Sequence, residues 1–539
     1  MKKNKALWYG LLRLATIIAV PFLAQAGTWL PLNNQPPMPD ITDPQTTAFL
    51  SEGGAAFPML LTDGSVIVRN LNSQQVHANS RVLKLTPDQN GSYLNGSWSE
   101  IASIPYIPTG NAQAVLVDGR VIIEGGEYTG VNLDFTLTNQ GAIYDPVANS
   151  WTSVQPPPFF VDLYPPRARF APNPIGDAAS VVLADGTFML QDKMSRQAAL
   201  LDLNTMTWIE TGTATKSDLN DEEGWTLLPN GTVLTIDCYT DSLFGLTAHY
   251  PPHPTNSELY DPQTGTWSSA GSTINTLTDR KFFEIGPAIL RPDGTVFAVG
   301  SQGFTSIYHT DTGTWSVGPL FPEAVDGSRM TAQDAPGALL PNGNVLVAVT
   351  GGPKRPPFGP FSGPPTYFFE FDGTNLIPES AIPNAAAIDE SFNINLLVLP
   401  TGEILAADGS KDVEIYTPSV TTHNPNWEPV ITTAPSTVSP GESYTITGIR
   451  FNGMSQASIY GDEGQNATNY PLVRITNLAT NHVFYSRTHD HSSMAVASSA
   501  LVSTHFDVPS TQETGPSELE VVANGIASAP VSVLVTSSP

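Results

Sequence analysis

The chain contains very little cysteine and few basic residues for its length. Cys238 is the only cysteine among 539 residues, so no intramolecular disulfide can form and stability has to rest on core burial. Lysine and arginine together number 23 against 50 aspartates and glutamates, which gives a formal net charge of −27. A surface this acidic repels nucleic acid and anionic lipid. The composition therefore favours cations, basic proteins or neutral glycans as binding partners.

Helical patterns and common catalytic motifs are also missing. Beyond residue 26 the chain has no convincing helical periodicity and no apolar run long enough to span a membrane. It lacks a Gly-rich phosphate loop at a strand-to-helix junction, and it lacks a Gly-x-Ser-x-Gly nucleophile elbow. The expected fold class is therefore all-β, and no standard nucleophile or phosphate motif suggests a reaction.

The first 26 residues have the form of an export signal. Lys2, Lys3 and Lys5 make a basic start, the stretch Leu14–Leu23 is apolar, and Ala24-Gln25-Ala26 is a small-x-small cleavage site. A membrane anchor is the alternative, but ten apolar residues are too few to cross a bilayer. We expect residues 1–26 to be removed and the protein to be secreted or periplasmic.

Seven Gly-centred turns are the most informative feature present. Each lies between two apolar runs, as hairpin turns do when one residue needs a positive φ. The turns are Asp63-Gly64, Asp118-Gly119, Asp185-Gly186, Asn230-Gly231, Asp293-Gly294, Asn342-Gly343 and Thr401-Gly402. A supersecondary unit that contains one such hairpin and is repeated seven times predicts a seven-bladed β-propeller.

The second half of most repeats ends on a tryptophan, as in IYDPVANSW at Trp151 and LYDPQTGTW at Trp267. The seventh repeat stops after EIYTPS, before any fourth strand. Gly27-Thr28-Trp29-Leu30 has the composition of the missing segment. We therefore expect an N-terminal strand to complete the last blade, which closes the ring and removes an open sheet edge.

The composition changes after the propeller. Residues 27–419 hold the seven repeats, residues 420–427 form a short polar linker, and residues 428–539 show alternating strands separated by Ser, Thr, Pro and Gly turns. This last segment has the length of one immunoglobulin-like β-sandwich. The predicted architecture is a seven-bladed propeller followed by an immunoglobulin-like domain.

This arrangement resembles the galactose oxidase and glyoxal oxidase family, in which a Kelch-type propeller precedes an immunoglobulin-like domain. The resemblance rests on the Asp-Gly hairpins, the LYDPQTGTW-type strands and Thr488-His489 in the last domain. It implies that His489 reaches the propeller axis as a metal ligand. The copper Tyr-His pair of the family is absent, because Phe392 and Asn393 stand in its place. Phenyl and carboxamide groups are poor replacements for phenolate and imidazole, so we expect no copper.

Carboxylates occupy the position that begins the innermost strand in four consecutive blades. Counting back from each turn glycine, blades one to seven have Ala55, Gly110, Asp177, Glu222, Glu284, Asp334 and Asn393 at this position. Carboxylates converging on an axis repel one another, and a divalent cation such as calcium, manganese, zinc or magnesium would relieve this. The alternatives are structural caps that bond to backbone N–H groups, or a protonated pair that acts as acid and base.

Two Pro-rich loops carry aromatic and basic residues that suit a ligand-binding face: Tyr164 and Arg167 in one, Phe358 and Phe361 in the other. They could equally pack over a blade.

Two functions follow from the sequence. The preferred one is an exported module that binds an extracellular glycan or protein. The alternative is an oxidoreductase-like enzyme with a carboxylate and histidine metal centre formed by Asp177, Glu222, Glu284, Asp334 and His489.

Overall fold

The computed structural model of the chain describes residues 26–37, 54–71, 80–129, 136–160, 173–238, 255–279, 283–325, 327–351, 363–383, 390–461 and 463–537. Within these ranges the regular structure is β, apart from 3₁₀ turns such as Ser391–Asn393 and Pro425–Trp427. None of the helices in these ranges has the length and apolar character needed to cross a membrane. The prediction of an all-β chain is confirmed.

Seven antiparallel sheets form the propeller, and in blades one to six the four main strands pair in chain order from the axis outwards. Blade one comprises β2 (Gly54–Leu60), β3 (Val66–Leu71), β4 (Ser80–Thr86) and β5 (Ser97–Ile104). Blade two comprises β6 (Ala112–Val115), β7 (Val121–Glu124), β8 (Gly141–Asp145) and β9 (Ser150–Val154). Blade three comprises β10 (Ser180–Val182), β11 (Phe188–Gln191), β12 (Ala198–Asp202) and β13 (Thr207–Thr211).

Blades four to six continue the same pattern. Blade four comprises β14 (Thr226–Leu227), β15 (Val233–Ile236), β16 (Asn256–Asp261) and β17 (Thr266–Ser272). Blade five comprises β18 (Ala288–Leu290), β19 (Thr295–Val299), β20 (Thr305–His309) and β21 (Thr314–Val317). Blade six comprises β23 (Pro336–Leu339), β24 (Val345–Gly351), β25 (Gly363–Phe371) and β26 (Leu376–Pro378), and the short strand β22 (Met330–Thr331) pairs with β24.

Blade seven is built from both ends of the propeller. Its strands β27 (Asn395–Val398), β28 (Ile404–Ala407) and β29 (Val413–Thr417) are completed by β1 (Thr28–Pro31), which pairs with β29 in antiparallel register. Trp29 lies opposite Tyr416, with ring centroids 4.9 Å apart. The same Tyr–Trp pair recurs in blade four, where the rings of Tyr260 and Trp267 are 5.3 Å apart. The prediction of N-terminal closure is confirmed.

The seven turns are hairpin loops in which only glycine adopts a positive φ. In blade one, the Gly64 N–H donates to Leu61 O at 3.0 Å and Leu61 N–H donates to Ser65 O at 2.7 Å. Gly64 has a φ of 76°, whereas Asp63 stays out of the left-handed region. The Asp63 carboxylate accepts from the Ser65 N–H at 3.0 Å. This is a type I turn followed by a glycine bulge, and it explains why Asp or Asn precedes the glycine in six of the seven turns, with Thr401 in the seventh.

The segment after the linker forms a second sheet-rich unit. Its strands are β30 (Val430–Thr433), β31 (Thr437–Val438), β32 (Ser443–Ile449), β33 (Ser458–Tyr460), β34 (Leu472–Asn477), β35 (Val483–His489), β36 (Val502–Asp507), β37 (Gly515–Ala523), β38 (Ile526–Ala527) and β39 (Val531–Val535). All except β33 belong to one connected sheet that encloses its own apolar core, which contains Phe451 and Phe506.

The second domain covers the hairpin end of the propeller. Backbone N–H groups of Thr488, His491 and Met494 donate to carbonyls in the turns of blades one, two and three, at 3.2, 2.9 and 2.9 Å. The strand β33 leaves this domain and pairs with β23, the innermost strand of blade six. The chain that follows β33 therefore reaches the opposite end of the propeller axis.

Candidate functional site at the propeller axis

The four predicted carboxylates lie two to four residues before the innermost strands β10, β14, β18 and β23. Because these strands pack beside one another around the axis, their starting points share one mouth of the propeller. Glu222 and Asp334 have φ values of 63° and 45°, and Gly110 has 59° at the equivalent position in blade two. A non-glycine residue in this region costs about 1–3 kcal/mol, and such residues cluster at functional sites.

Three of the four carboxylates form one group. Glu222, Glu284 and Asp334 each offer an oxygen, and these oxygens lie within 4.8 Å of one another. Both glutamates are 8% exposed. Burial raises the pKa of Asp334 to about 6, although a hydrogen bond with Glu284 and the charge of Lys193 lower it. Glu284 and Asp334 therefore share a proton-dependent contact at the axial mouth.

A buried lysine, which the sequence interpretation missed, connects Asp177 to this group. The Lys193 ammonium contacts the Asp177 carboxylate, lies 3.0 Å from Glu222 Oε1 and lies 3.1 Å from Asp221 Oδ1. Its side chain is 6% exposed. Burial alone lowers the pKa of Lys193, but the surrounding carboxylates raise it well above its usual range. The lysine is thus an internal cation that remains charged, and it neutralises part of the acidic mouth.

A second buried lysine explains why three acidic residues occur in succession. Asp221 and Glu222 face Lys193, whereas Glu223 turns away and lies 2.9 Å from the Lys216 ammonium. Lys216 also contacts Asp218 and lies 2.7 Å from Glu258 Oε2. This second group is almost fully buried and ties the chain before β14 to strand β16. We interpret it as structural, because charged groups that are buried this deeply have to be paired.

The second domain contributes Glu463 and Tyr460 to the axial mouth. The Tyr460 hydroxyl donates to the Phe392 carbonyl. The Glu463 carboxylate lies over Gly110, where a Cβ would come within 2.5 Å of Glu463 Oε2. Burial raises the pKa of Glu463 well above its usual range, and the charge of Asp177 raises it further. An acidic residue therefore reaches the mouth from the second domain.

His489 does not reach the axis, contrary to the expectation from the family resemblance. It ends strand β35, where Nδ1 lies 2.8 Å from Asp490 Oδ2 and Nε2 lies 3.1 Å from Asp507 Oδ1. The reason is the chain path, because β33 pairs with the innermost strand β23 and Tyr460 and Glu463 line the axial cavity, whereas β35 stays paired with β36. His491 is buried separately, and burial lowers its pKa to about 3.

Phe392 and Asn393 line a small cavity beside the acidic group. Its volume is about 80 Å³, and its other walls include Phe57, Tyr128 and Glu463. Such a volume holds a few water molecules or a partly hydrated ion, whereas drug-sized ligands need about 300 Å³ or more. Tyr164, Arg167, Phe358 and Phe361, predicted for a ligand face, lie outside the described residues.

The donor set at the mouth consists of oxygen atoms. Among the described residues, Asp177 Oδ1, Asp334 Oδ1 and Glu463 Oε2 are buried and have no hydrogen-bond donor. Oxygen donors of this kind suit calcium, magnesium and manganese, while zinc and copper prefer imidazole or thiolate as well. With His489 elsewhere, the residues present fit a hard divalent cation better than zinc.

Comparisons with known proteins give distant similarities in shape. No family model matches the chain, and no curated protein matches it. A virginiamycin B lyase from Staphylococcus aureus matches with a TM-score of 0.40 at 10% identity, over 72% of this chain and 98% of the lyase. The extracellular domain of a putative hybrid two-component system from B. thetaiotaomicron matches with a TM-score of 0.44 at 10% identity, over 96% of this chain and 60% of that one.

A third structure, YCF48 bound to a D1 peptide, matches with a TM-score of 0.42 at 11% identity, over 74% of this chain and 98% of that chain. Similarities at this level carry no information on activity or ligand. The seven-bladed architecture is established by the strand pairing described above. Membership of the galactose oxidase family and the immunoglobulin-like type of the second domain remain predictions.

Proposed function

We propose that this protein is an exported propeller module that holds a hard divalent cation at its axial mouth and binds an extracellular glycan or protein with that face. The observation that carries the proposal is the group formed by Glu222, Glu284 and Asp334, whose oxygens lie within 4.8 Å of one another. Carboxylates this close are stable together only when protons or a cation balance their charge.

The internal lysine supplies only part of that balance. Among the described residues, the charge of Lys193 acts on Glu127, Asp177, Glu222, Asp334 and Glu463, and its ammonium lies 3.1 Å from Asp221 Oδ1. Burial raises the pKa of Glu127 to about 7, with Lys193 lowering it and the neighbouring carboxylates raising it. Burial and mutual repulsion raise the pKa values of Asp177, Glu222 and Glu463, so the group holds protons that a divalent cation can displace.

The size of the cavity bears on the kind of partner. A volume of about 80 Å³ admits an ion with a few waters but not a sugar ring. We therefore place the glycan or protein on the outer side of the mouth, where its hydroxyl or carbonyl oxygens complete the coordination of the ion. A basic protein partner also fits, given the net charge of −27.

The alternative function is an oxidoreductase-like enzyme with a metal centre of carboxylates and histidine. The absence of imidazole from the described donor group weighs against redox chemistry there, because redox metals in proteins usually have nitrogen or sulfur ligands. The hydrogen bond between Glu284 and Asp334 supports an acid–base pair instead. We favour cation-dependent binding because the site offers three carboxylate oxygens close enough to one another to bind a single ion.

The test is calorimetric titration of the metal-free protein with Ca²⁺, Mn²⁺ and Mg²⁺, using wild type and the double variant Glu284→Gln/Asp334→Asn. Glu100→Gln is the matched control, because Glu100 is half exposed and pairs only with Arg81 in the described structure. We expect one ion to bind to wild type and control, and no ion to bind to the double variant. Equal binding by all three proteins would refute the site.

The partner is tested separately with a glycan array and a panel of extracellular proteins, each probed with Ca²⁺-loaded and chelator-treated protein. We expect binding that is lost on chelation and in the double variant. Binding that chelation leaves unchanged would refute a role for the ion in recognition, and it would leave the titration result untouched.

A further inference from the structure

A second group of side chains of the types that bind metals lies on the domain that follows the propeller. None of its residues belongs to the axial group of carboxylates. His489 and His505 are directly opposite one another on the antiparallel strands β35 and β36. Their rings stack with centroids 5.6 Å apart and planes inclined by 23°. Side chains in such cross-strand pairs project from the same face of the sheet. Two imidazoles are thus presented side by side.

A carboxylate completes a set of three donors. Asp490 Oδ2 lies 2.8 Å from His489 Nδ1 and 3.9 Å from His505 Nδ1. One ligand atom from each of the three residues lies within 4.8 Å of the other two. In a tetrahedral zinc site with bonds of about 2.0–2.1 Å, ligand atoms are about 3.3 Å apart. The two separations from Asp490 lie on either side of this value, and the two imidazole nitrogens lie within 4.8 Å of one another, so side-chain rotation has to bring the three donors to the ideal distance.

A second aspartate, Asp507, lies where metal sites commonly have a carboxylate that orients a histidine ligand. Asp507 Oδ1 lies 3.1 Å from His489 Nε2, the ring nitrogen on the side away from Asp490. Arg487 Nη1 in turn holds Asp507 Oδ2 at 3.0 Å. Histidines that bind metals usually donate their second N–H to a carboxylate, which orients the ring and makes the ligand more basic. Asp507 is positioned to have this role here.

The group is accessible from solvent. The side chains of His505 and Asp490 are 48% and 60% exposed, and that of His489 is 18% exposed. An ion can therefore enter without any movement of the backbone, and a water molecule can occupy the fourth position. The two nitrogen donors and one oxygen donor suit zinc and neighbouring transition metals more than calcium or magnesium.

We propose that His489, His505 and Asp490 form a surface zinc site on the second domain, with Asp507 as the positioning residue. This site is independent of the proposed axial cation site, because it shares no residue with it and differs from it in donor chemistry.

The test is titration of the full chain, purified without a polyhistidine tag, with zinc chloride followed by calorimetry. Co²⁺ absorption gives a second readout, since tetrahedral coordination with nitrogen ligands produces a characteristic visible band. The variants are His505→Ala, Asp490→Asn and Asp507→Asn. His482→Ala is the matched control, because His482 also pairs with a carboxylate, Glu513 at 2.7 Å, but has no second histidine beside it in the described structure.

We expect one zinc ion to bind to wild type and to His482→Ala, with binding by His505→Ala weaker by more than about 100-fold. Asp507→Asn should bind zinc about 10–100-fold more weakly, as expected for a supporting residue. Glu284→Gln/Asp334→Asn should bind zinc at this site like wild type. The proposal is overturned if wild type shows no saturable zinc binding, if His505→Ala binds like wild type, or if His482→Ala loses binding equally.

Discussion

Replacing Lys193 by methionine removes the cation at the axial mouth while keeping a side chain of similar length. The ammonium contacts Asp177, lies 3.0 Å from Glu222 and lies 3.1 Å from Asp221. At an effective dielectric constant of about 20, each contact at this distance represents roughly 5 kcal/mol of gross attraction. Most of that gain is offset by the loss of hydration when the ions are buried.

The net effect can be bounded from the behaviour of buried ion pairs. Removing one partner typically costs about 3–5 kcal/mol, because the remaining charges are left buried without compensation. We expect Lys193→Met to lower the free energy of unfolding by this amount at pH 8. At pH 5 the loss should be smaller, since the carboxylates around the missing ammonium, including Asp177 and Glu222, can then take up protons.

The assay is urea unfolding followed by tryptophan fluorescence at pH 5 and pH 8. Lys84→Met is the control, because Lys84 lies on a propeller strand without the burial of Lys193. A difference of less than about 1 kcal/mol between Lys193→Met and the control at pH 8 would contradict this role of Lys193, given that surface changes usually stay within about 0.5 kcal/mol. A larger loss at pH 5 than at pH 8 would refute it as well.

Three further predictions concern pH, blade closure and the cysteine. Burial raises the folded pKa values of Asp334 and Glu127 to about 6 and about 7, above their unfolded values, so the folded state binds more protons. Stability measured by denaturation without metal should therefore fall as pH rises from about 4 to 7, and a stability that rises over this range would contradict the assignment. Trp29→Ala should lower the free energy of unfolding by about 3–5 kcal/mol, because Trp29 is 6% exposed. Leu30→Ala is the control on the same strand, and it should lower the free energy of unfolding far less because Leu30 is 49% exposed. Equal thermal midpoints for the two variants would argue against closure of the ring by β1. Cys238 is fully buried, so it should react with a thiol reagent only after unfolding, and rapid labelling of the native protein would disprove this placement.

The repeat architecture could be predicted because its signals are local. A glycine with a positive φ, preceded by Asp or Asn, specifies a hairpin from four or five neighbouring residues. The Trp29 segment could be recognised because it repeats the residue type that faces tyrosine in other blades. The positions of Glu222, Glu284 and Asp334 at one mouth then follow from counting along equivalent strands, since equivalent positions in a ring of similar blades lie at the same height.

The electrostatic character of the site could not be predicted in this way. Lys193 follows the second strand of blade three, and no repeat pattern places it at the axis. Glu463 arrives from the second domain through the path of β33, which depends on pairing with β23 more than 100 residues earlier in the chain. The same path leaves His489 on β35, where it faces His505.

The seven blades, the N-terminal closure and the ring of acidic strand starts can be inferred from the sequence, because short-range turn chemistry and repetition are sufficient for these. Which polar side chains meet depends on the tertiary structure, which brings Lys193 to Asp177, Glu463 to the axial mouth and His489 to His505. Such contacts depend on how distant segments cross in space, and the free energy of a buried charge depends on every neighbour that this crossing brings within a few ångströms.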